Sequence, residues 1–145
     1  MSQRPIRSLI ARQKILTAAA DVTIAEAARL MKKKAVGAVM VVADDGHLTG
    51  IFTERDALFG VLAEGRDPTT TRLADVMTPH PQTIGPDKPF GHALLMMYDG
   101  GFRHVPVVEN GRPVGMVSAR DALGPELEEF ESEMQRRTRI GEILG

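Results

Sequence analysis

The spacing of apolar and polar residues predicts one series of elements in the first half of the chain. A short apolar stretch at residues 15–17 precedes residues 24–31, where apolar side chains recur at helical spacing. Residues 36–42 form a continuous, β-branched apolar run typical of a buried strand, and residues 48–52 return as its partner after a turn rich in Asp and Gly. A second helix is predicted over residues 53–62. The predicted order is therefore β-α-β-β-α.

The second half of the chain shows the same order of elements. Its short apolar stretch lies at residues 83–84, and its first helix is predicted over residues 89–99. Residues 103–108 and 114–117 are predicted as the next two strands, with an Asn-Gly turn between them. A second helix is predicted to begin at Ser118.

The two halves also match residue by residue, which indicates an internal repeat. The offset is 66 residues as far as residue 42 and 65 afterwards, because the second hairpin turn is one residue shorter. Neither unit is long enough to bury a full core by itself, so we expect the two to pack together. The identical pairs are Thr17 and Thr83, Asp21 and Asp87, Ala27 and Ala93, Met31 and Met97, Val39 and Val105, Val41 and Val107, Val42 and Val108, Gly46 and Gly111, Gly50 and Gly115, Arg55 and Arg120, Asp56 and Asp121, Ala57 and Ala122, and Leu58 and Leu123.

This repeat predicts a mixed α/β (α+β) fold. Two β-α-β-β-α units pack as one module with pseudo-two-fold symmetry, and a C-terminal helix follows them. The first unit is assigned to residues 6–64 and the second to residues 73–123. Residues 65–72, which include Pro68 and a run of Thr, form the linker. Residues 124–145 form the C-terminal helical tail.

The tail has the pattern of an amphipathic helix. Glu residues crowd its start and Arg residues lie late, a polarity that complements the helix dipole. Leu127, Phe130 and Met134 form a narrow apolar stripe. We expect this stripe to cover exposed core of the same module, and packing on a second copy of the chain is the alternative.

Composition excludes several classes of protein. The chain has 145 residues, of which 43% are hydrophobic and 26% charged, as is typical of a soluble globular protein. The formal net charge of −1 provides no overall field that would attract nucleic acid or an anionic membrane. The absence of Cys excludes disulfides, thiolate metal sites and a Cys nucleophile. No apolar run has the length of a signal peptide or membrane span, so we expect a cytoplasmic protein with no membrane or nucleic-acid partner.

One motif occurs at the same place in both units. Residues 50–56 and residues 115–121 each run from a strand, through Thr or Ser, to an Asp three residues later. A capping box explains this spacing, because the hydroxyl and the carboxylate satisfy free N–H groups at a helix start. A ligand site also fits, because a helix start binds phosphate and an Asp can accept both hydroxyls of a ribose. Arg55 and Arg120 would then bind phosphate oxygens.

With these motifs the sequence resembles a pair of CBS domains, also called a Bateman module. The resemblance rests on the two in-register units with their shared motif, on DVMTP at residues 75–79, and on FRHVPVV at residues 102–108. It covers residues 6–123. The C-terminal helix lies outside it and is similar to the tails of small stand-alone bacterial CBS proteins.

The resemblance implies a regulatory module that binds adenosine-containing ligands: AMP and ATP first, then ADP, NAD(H) and S-adenosylmethionine. The ligand would be regulatory rather than a catalytic cofactor, and the protein would be a homodimer acting on an unidentified regulated protein. In the family the motif Asp binds ribose, the motif Thr or Ser binds phosphate or ribose, the first strand flanks the base, and basic residues of the middle strand reach the phosphates. By this match, Asp56 and Asp121 would bind ribose, and Thr53 and Ser118 would bind phosphate or ribose. Thr17, Ala18, Thr83 and Ile84 would flank the base, and Arg103 and His104 would reach the phosphates.

The two units differ at the phosphate position. The first unit has Gly37 and Ala38 where the second has Arg103 and His104. We therefore expect the site that uses Arg103 and His104 to be the better phosphate binder. Because the chain has no Trp and few aromatic residues, we expect aliphatic side chains such as Val39, Met40 or Ile84, rather than stacking, to hold the base.

No catalytic constellation emerges from the sequence. The four His residues lack the spacing of a metal site, and Ser118 lacks the Gly-x-Ser-x-Gly context of a nucleophile. We therefore predict a sensor that is not an enzyme and holds no metal. Two alternatives stay open: an interaction or scaffold protein without a small ligand that docks through its C-terminal helix, and a phosphohydrolase, for which only His104 offers a base. Met31, Met96 and Met97 could line a helix–helix dimer face.

Overall fold

The structure, a computed structural model, describes residues 2–144. In this range the chain forms two small sheets with helices packed beside them. Segments with period-two or continuous apolar pattern form the strands, and segments with helical spacing form the helices. The elements are α1 (Ile6–Ile10), β1 (Thr17–Ala19), α2 (Ile24–Lys34), β2 (Ala38–Val42), β3 (Leu48–Thr53), α3 (Glu54–Asp56) with its π-helical continuation (Ala57–Leu62), α4 (Leu73–Val76), β4 (Thr78–Pro79), α5 (Phe90–Gly100), β5 (His104–Glu109), β6 (Arg112–Ser118), a 3-10 turn (Ala119–Asp121) and α6 (Gly124–Leu144).

Helix α2 begins at a local signal in the sequence, the hydroxyl of Thr23. The Thr23 hydroxyl accepts the N–H of Glu26 at 3.3 Å, which satisfies one of the free donors of the first turn. Ala35 closes the helix in the left-handed region, with φ of 54°. Ala27 and Met31 lie on the buried face, as their spacing predicts.

The first sheet has the order β1-β2-β3-β4, and its last strand comes from beyond the linker. β1 and β2 are parallel and the other neighbours antiparallel, with Thr78 of β4 opposite Ile51 of β3. The second sheet consists of β5 and β6, to which Ile84 adds one parallel bridge at Val107. The strand expected at residues 83–84 is therefore reduced to that bridge, because Pro86 soon follows and has no N–H to continue a ladder.

The helix expected from Ser118 onward is also shorter than predicted. Only a 3-10 turn forms over Ala119–Asp121, because Ala122 takes an extended conformation with ψ of 130°. The chain becomes helical again at Gly124, where α6 begins.

The segment that begins each unit packs on the other unit. β4 lies on the sheet of the first unit, and the N-terminal segment lies on the second. In that N-terminal contact, the N–H of Phe90 donates to the carbonyl of Arg4 at 2.8 Å. The Gln13 side chain both donates to and accepts from the Met116 backbone, at 2.7 and 2.9 Å. This exchange makes the two units one packed module.

Each unit has its own apolar core, completed by a side chain from the exchanged segments. Val39 and Phe52 are fully buried in the first core together with Leu73 of α4. Phe90 is fully buried in the second core together with Ile6 of α1. Both cores thus depend on chain that lies outside the unit's own hairpin.

The methionines considered for a dimer face lie in these cores. Met31 belongs to the first core and Met97 to the second, each less than 9% exposed. That interpretation of Met31 and Met97 is therefore wrong, since neither side chain is available to a partner. Met96 is partly buried against the second core.

The tail helix α6 covers the second core, as expected for its apolar stripe. Phe130 and Met134 are buried, and the Phe130 ring makes an edge-to-face contact with Tyr98 of α5 at 5.8 Å between centroids. Leu127 remains 42% exposed, so the stripe is narrower than the sequence suggests.

Arg4 ties the start of α6 to the turn of the second motif. Its guanidinium pairs with the Glu126 carboxylate at 2.6 Å and donates to the carbonyl of Asp121 at 2.8 Å. Glu126 also accepts the N–H of Leu123 at 2.9 Å. These bonds hold the N-terminal segment, the motif turn and α6 in one arrangement.

Candidate functional site

The first motif forms a capping box where β3 passes into α3. The Asp56 carboxylate accepts the N–H of Thr53 at 2.9 Å and its hydroxyl at 3.1 Å. The Thr53 hydroxyl in turn accepts the N–H of Asp56 at 3.3 Å. Both side chains are half-buried, so this local pairing fixes them at the edge of the sheet.

The second motif has the same arrangement at the end of β6. Asp121 accepts the N–H of Ser118 at 2.7 Å and its hydroxyl at 3.4 Å. The capping interpretation is thus confirmed for both copies. It leaves the ligand interpretation open, because a capping carboxylate has further lone pairs and can exchange one bond for a ligand hydroxyl.

A cleft of about 1010 Å³ opens beside the first motif, between the two units. It is bordered by α3 with its continuation, by the segment that leads into β5, and by β4 with the residues that follow it. The lining is Ile51, Thr53, Glu54, Arg55, Asp56, Leu58, Phe59, Thr78, His80, Pro81, Gln82, Gly100, Gly101, Phe102, Arg103 and His104.

Five of the predicted site residues meet in this cleft: Thr53, Arg55 and Asp56 from the first unit, and Arg103 and His104 from the second. They meet because the exchanged β4 brings the start of the second unit against β3. The Asp56 carboxylate, which suits ribose hydroxyls, and the Arg103 guanidinium, which suits phosphate, therefore border the same cleft although they belong to different repeats.

The other predicted site residues lie elsewhere. Thr83 and Ile84 line a separate, shallow hollow of about 390 Å³ on the α5 side. The lining of the main cleft does not include Thr17, Ala18, Ser118, Arg120 or Asp121.

The cleft offers aromatic as well as aliphatic contacts to a base. Val39 and Met40 are at most 1% exposed in β2, so the expectation that they hold a base is wrong, and Ile84 does not line this cleft. Phe59 and Phe102 line the cleft instead, and Phe59 is 57% exposed. The Arg55 guanidinium lies 5.6 Å from the centroid of the Phe59 ring, which places a cation and an aromatic face side by side.

His104 lies at the start of β5, with charged groups of both motifs around it. Burial lowers the pKa of His104 below its ordinary value, and the positive charges of Arg103 and Arg120 act in the same direction. The negative charges of Glu54 and Asp121 oppose that shift. A neutral imidazole at pH 7 can both donate and accept a hydrogen bond in the cleft.

The lowered pKa of His104 predicts a loss of stability in mild acid. The unfolded chain binds a proton near pH 6.5, before the folded chain does, so the free energy of unfolding falls as pH drops from about 6.5 through the lower folded pKa. We expect urea denaturation at pH 7.5 and 5.5 to show this fall, and His104→Gln to reduce it. Ordinary carboxylates titrate below about pH 4.5, outside this window.

His80→Asn is the matched control for that measurement. His80 is an exposed histidine of the same cleft, and its φ of 45° suits Asn. An equal fall in the wild type and in His104→Gln would contradict the assignment to His104.

Eleven of the sixteen residues that line the cleft were not among the predicted site residues. Glu54 stands inside the motif, at a position that the capping pattern leaves free, so the motif itself offered that signal. Thr78, His80 and Gln82 became part of the cleft only through the exchange of β4, for which the sequence gives no local signal. Phe59 is exposed on the continuation of α3, so a search of the sequence for buried apolar positions does not identify it as a site residue.

Among residues 2–144, no group of three or more His, Asp or Glu side chains is placed to hold a metal ion. Nor does any helix there have the length and apolar content needed to cross a membrane.

The family model of the CBS domain matches the chain twice, at residues 6–62 and 73–125. The fold and these two matches define a tandem CBS-domain protein, and the chain belongs to the CBS family. The sequence-based assignment to a CBS pair is confirmed, and so is the mixed α/β fold with its C-terminal helix.

Individual relatives agree with this assignment. The chain is 34% identical over 120 residues to a mitochondrial CBS domain-containing protein of Arabidopsis thaliana, CBSX3, covering 80% of this chain and 58% of that protein. It therefore spans little more than half the length of that relative. A CBS domain protein of Pyrobaculum aerophilum, solved with AMP, is 26% identical with a TM-score of 0.77, covering 91% of this chain and 99% of that one.

A second solved relative holds other adenosyl compounds. The CBS domain pair of protein MJ0100, in complex with 5′-methylthioadenosine and S-adenosyl-L-methionine, is 27% identical with a TM-score of 0.73. The similarity covers 81% of this chain and 90% of that one. The CBS pair is a regulatory module, and these two solved relatives bind adenosyl ligands.

Proposed function

We propose that this protein senses an adenosine nucleotide, AMP first, in the cleft between its two CBS units. The observation that carries the proposal is the meeting of Thr53 and Asp56 with Arg103 and His104 in one cleft. A capped helix start with an acceptor for ribose hydroxyls then faces two groups suited to a phosphate. The complexes of the two solved relatives support an adenosyl ligand.

Four residues of the cleft contact the nucleotide directly in this proposal. Asp56 accepts the ribose hydroxyls in place of one of its bonds from Thr53. Arg103 is exposed in the lining and binds phosphate oxygens, and the neutral His104 donates a further hydrogen bond. Phe102 packs against the base at the wall that leads into β5.

Sensing follows from the position of the cleft between the units. A ligand that bonds to Asp56 of one unit and Arg103 of the other favours the packing in which both reach it. The difference in affinity between two packings sets how far the ligand shifts the equilibrium that a regulated protein experiences. For the interaction-protein alternative, the described side chains of α6 offer only the exposed Leu127 and Ile140, because Phe130 and Met134 are buried on the same chain.

The test is a thermal-shift panel on the whole chain with AMP, ADP, ATP, NADH and S-adenosylmethionine, with GMP as a base-specificity control. A ligand at 100 times its Kd stabilises the folded state by about 2.7 kcal/mol. For a domain of this size the melting temperature rises by roughly 5 to 15 °C. No shift with any adenosyl compound, together with flat calorimetric titrations, would overturn the proposal.

Two further expectations from the sequence, a homodimer and a cytoplasmic location, stay predictions. The exposed Leu58 and Leu62 on the continuation of α3 support a homodimer that uses this helical face.

A further inference from the structure

Glu54 is an acidic side chain in the lining of the cleft, and the proposed function gives it no role. Glu54 is the first residue of α3, and its backbone N–H donates to the carbonyl of Gly37 at 3.0 Å. Its carboxylate lies against the Cα of Gly37, so close that a Cβ there would be 3.2 Å from Oε1. Its negative charge acts on His104 across the cleft.

The internal repeat shows that Glu54 is not required for the motif. Its counterpart in the second unit is Ala119, and the capping box between Ser118 and Asp121 forms there without an acid at that position. The counterpart of Gly37 is Arg103, so the first unit has open space where the second has a long side chain. The Glu54 carboxylate uses that space, which ties its charge to this cleft.

The charges that line the cleft nearly cancel. Arg55 and Arg103 are positive, whereas Glu54 and Asp56 are negative. A ligand with one phosphate can be neutralised by the two arginines. Each additional phosphate brings more negative charge into a space that Glu54 already makes less positive, and like charges repel.

We propose that Glu54 makes the cleft selective for the charge of its ligand, favouring an adenosine compound with a single phosphate over the triphosphate. The proposal rests on the proposed function, since it concerns the same cleft. Glu54 is a specificity-determining residue here rather than a structural one, because the carboxylate forms no part of the capping box.

The test compares wild type with Glu54→Gln, which keeps the shape of the side chain and removes its charge. Dissociation constants for AMP and ATP are measured by calorimetry in EDTA, so that no magnesium alters the charge of ATP. We expect the ratio of the ATP constant to the AMP constant to fall by roughly three- to tenfold in Glu54→Gln. The change should shrink in 0.5 M salt, where charge interactions are screened.

Glu64→Gln is the matched control, because Glu64 is an exposed acid near the same helix that does not line the cleft. An unchanged ratio in Glu54→Gln, or the same change in Glu64→Gln, overturns the selectivity role while AMP binding still supports the proposed function. Failure of the wild type to bind either nucleotide overturns the proposed function and this role together. A purely structural role for Glu54 would move both constants by the same factor and is thereby distinguished.

Discussion

Asp56→Ala is expected to weaken nucleotide binding in the cleft by at least tenfold while the protein stays folded. Hydrogen bonds to a charged group contribute about 1.5–3 kcal/mol, and the variant loses those that the carboxylate would form with ribose. It also loses the bonds from the Thr53 N–H and hydroxyl. Loss of a helix cap costs about 1 kcal/mol of unfolding free energy. Calorimetric titration with AMP and urea denaturation measure the two effects separately.

Asp75→Ala separates binding from capping in that experiment. Asp75 accepts the N–H of Arg72 at 2.9 Å at the start of α4 and does not line the cleft. The control should lose a similar amount of stability and bind AMP as the wild type does. If Asp56→Ala binds AMP as tightly as Asp75→Ala, the motif carboxylate only caps its helix.

Phe52→Ala is expected to have the largest effect on stability. Phe52 is fully buried in β3, in the first core, opposite Val39 of β2. Removing a buried phenyl ring leaves a cavity and costs about 3–5 kcal/mol. That is a large part of the roughly 5–15 kcal/mol that stabilises a domain, so we expect a strong shift of the urea midpoint. Phe52 directly precedes Thr53, so the variant should also weaken AMP binding.

Phe59→Ala is the control for that variant. Phe59 is 57% exposed on the continuation of α3, and its loss should change the unfolding free energy by about 0.5 kcal/mol or less. A cost below about 1 kcal/mol for Phe52→Ala would contradict the prediction, because it would mean that the first core closes over the cavity.

The sequence by itself determined the units and their local structure. The paired hairpins follow from apolar runs that flank an Asp-Gly and an Asn-Gly turn, and the start of α2 follows from Thr23. Both capping boxes follow from a hydroxyl and an Asp three residues apart, since those groups lie within one turn of each other. Such features depend on neighbours in the chain, so their pattern is visible in the residue order.

The tertiary structure alone decided which motif faces the cleft and with what companions. Thr53 and Asp56 meet Arg103 and His104 because β4 and the N-terminal segment exchange between the units. Periodicity shows which side of a strand or helix is apolar, but it does not show which unit that side meets. Packing between distant segments decides which unit that side meets. The same packing places the negative charge of Glu54 near Arg103 in the cleft.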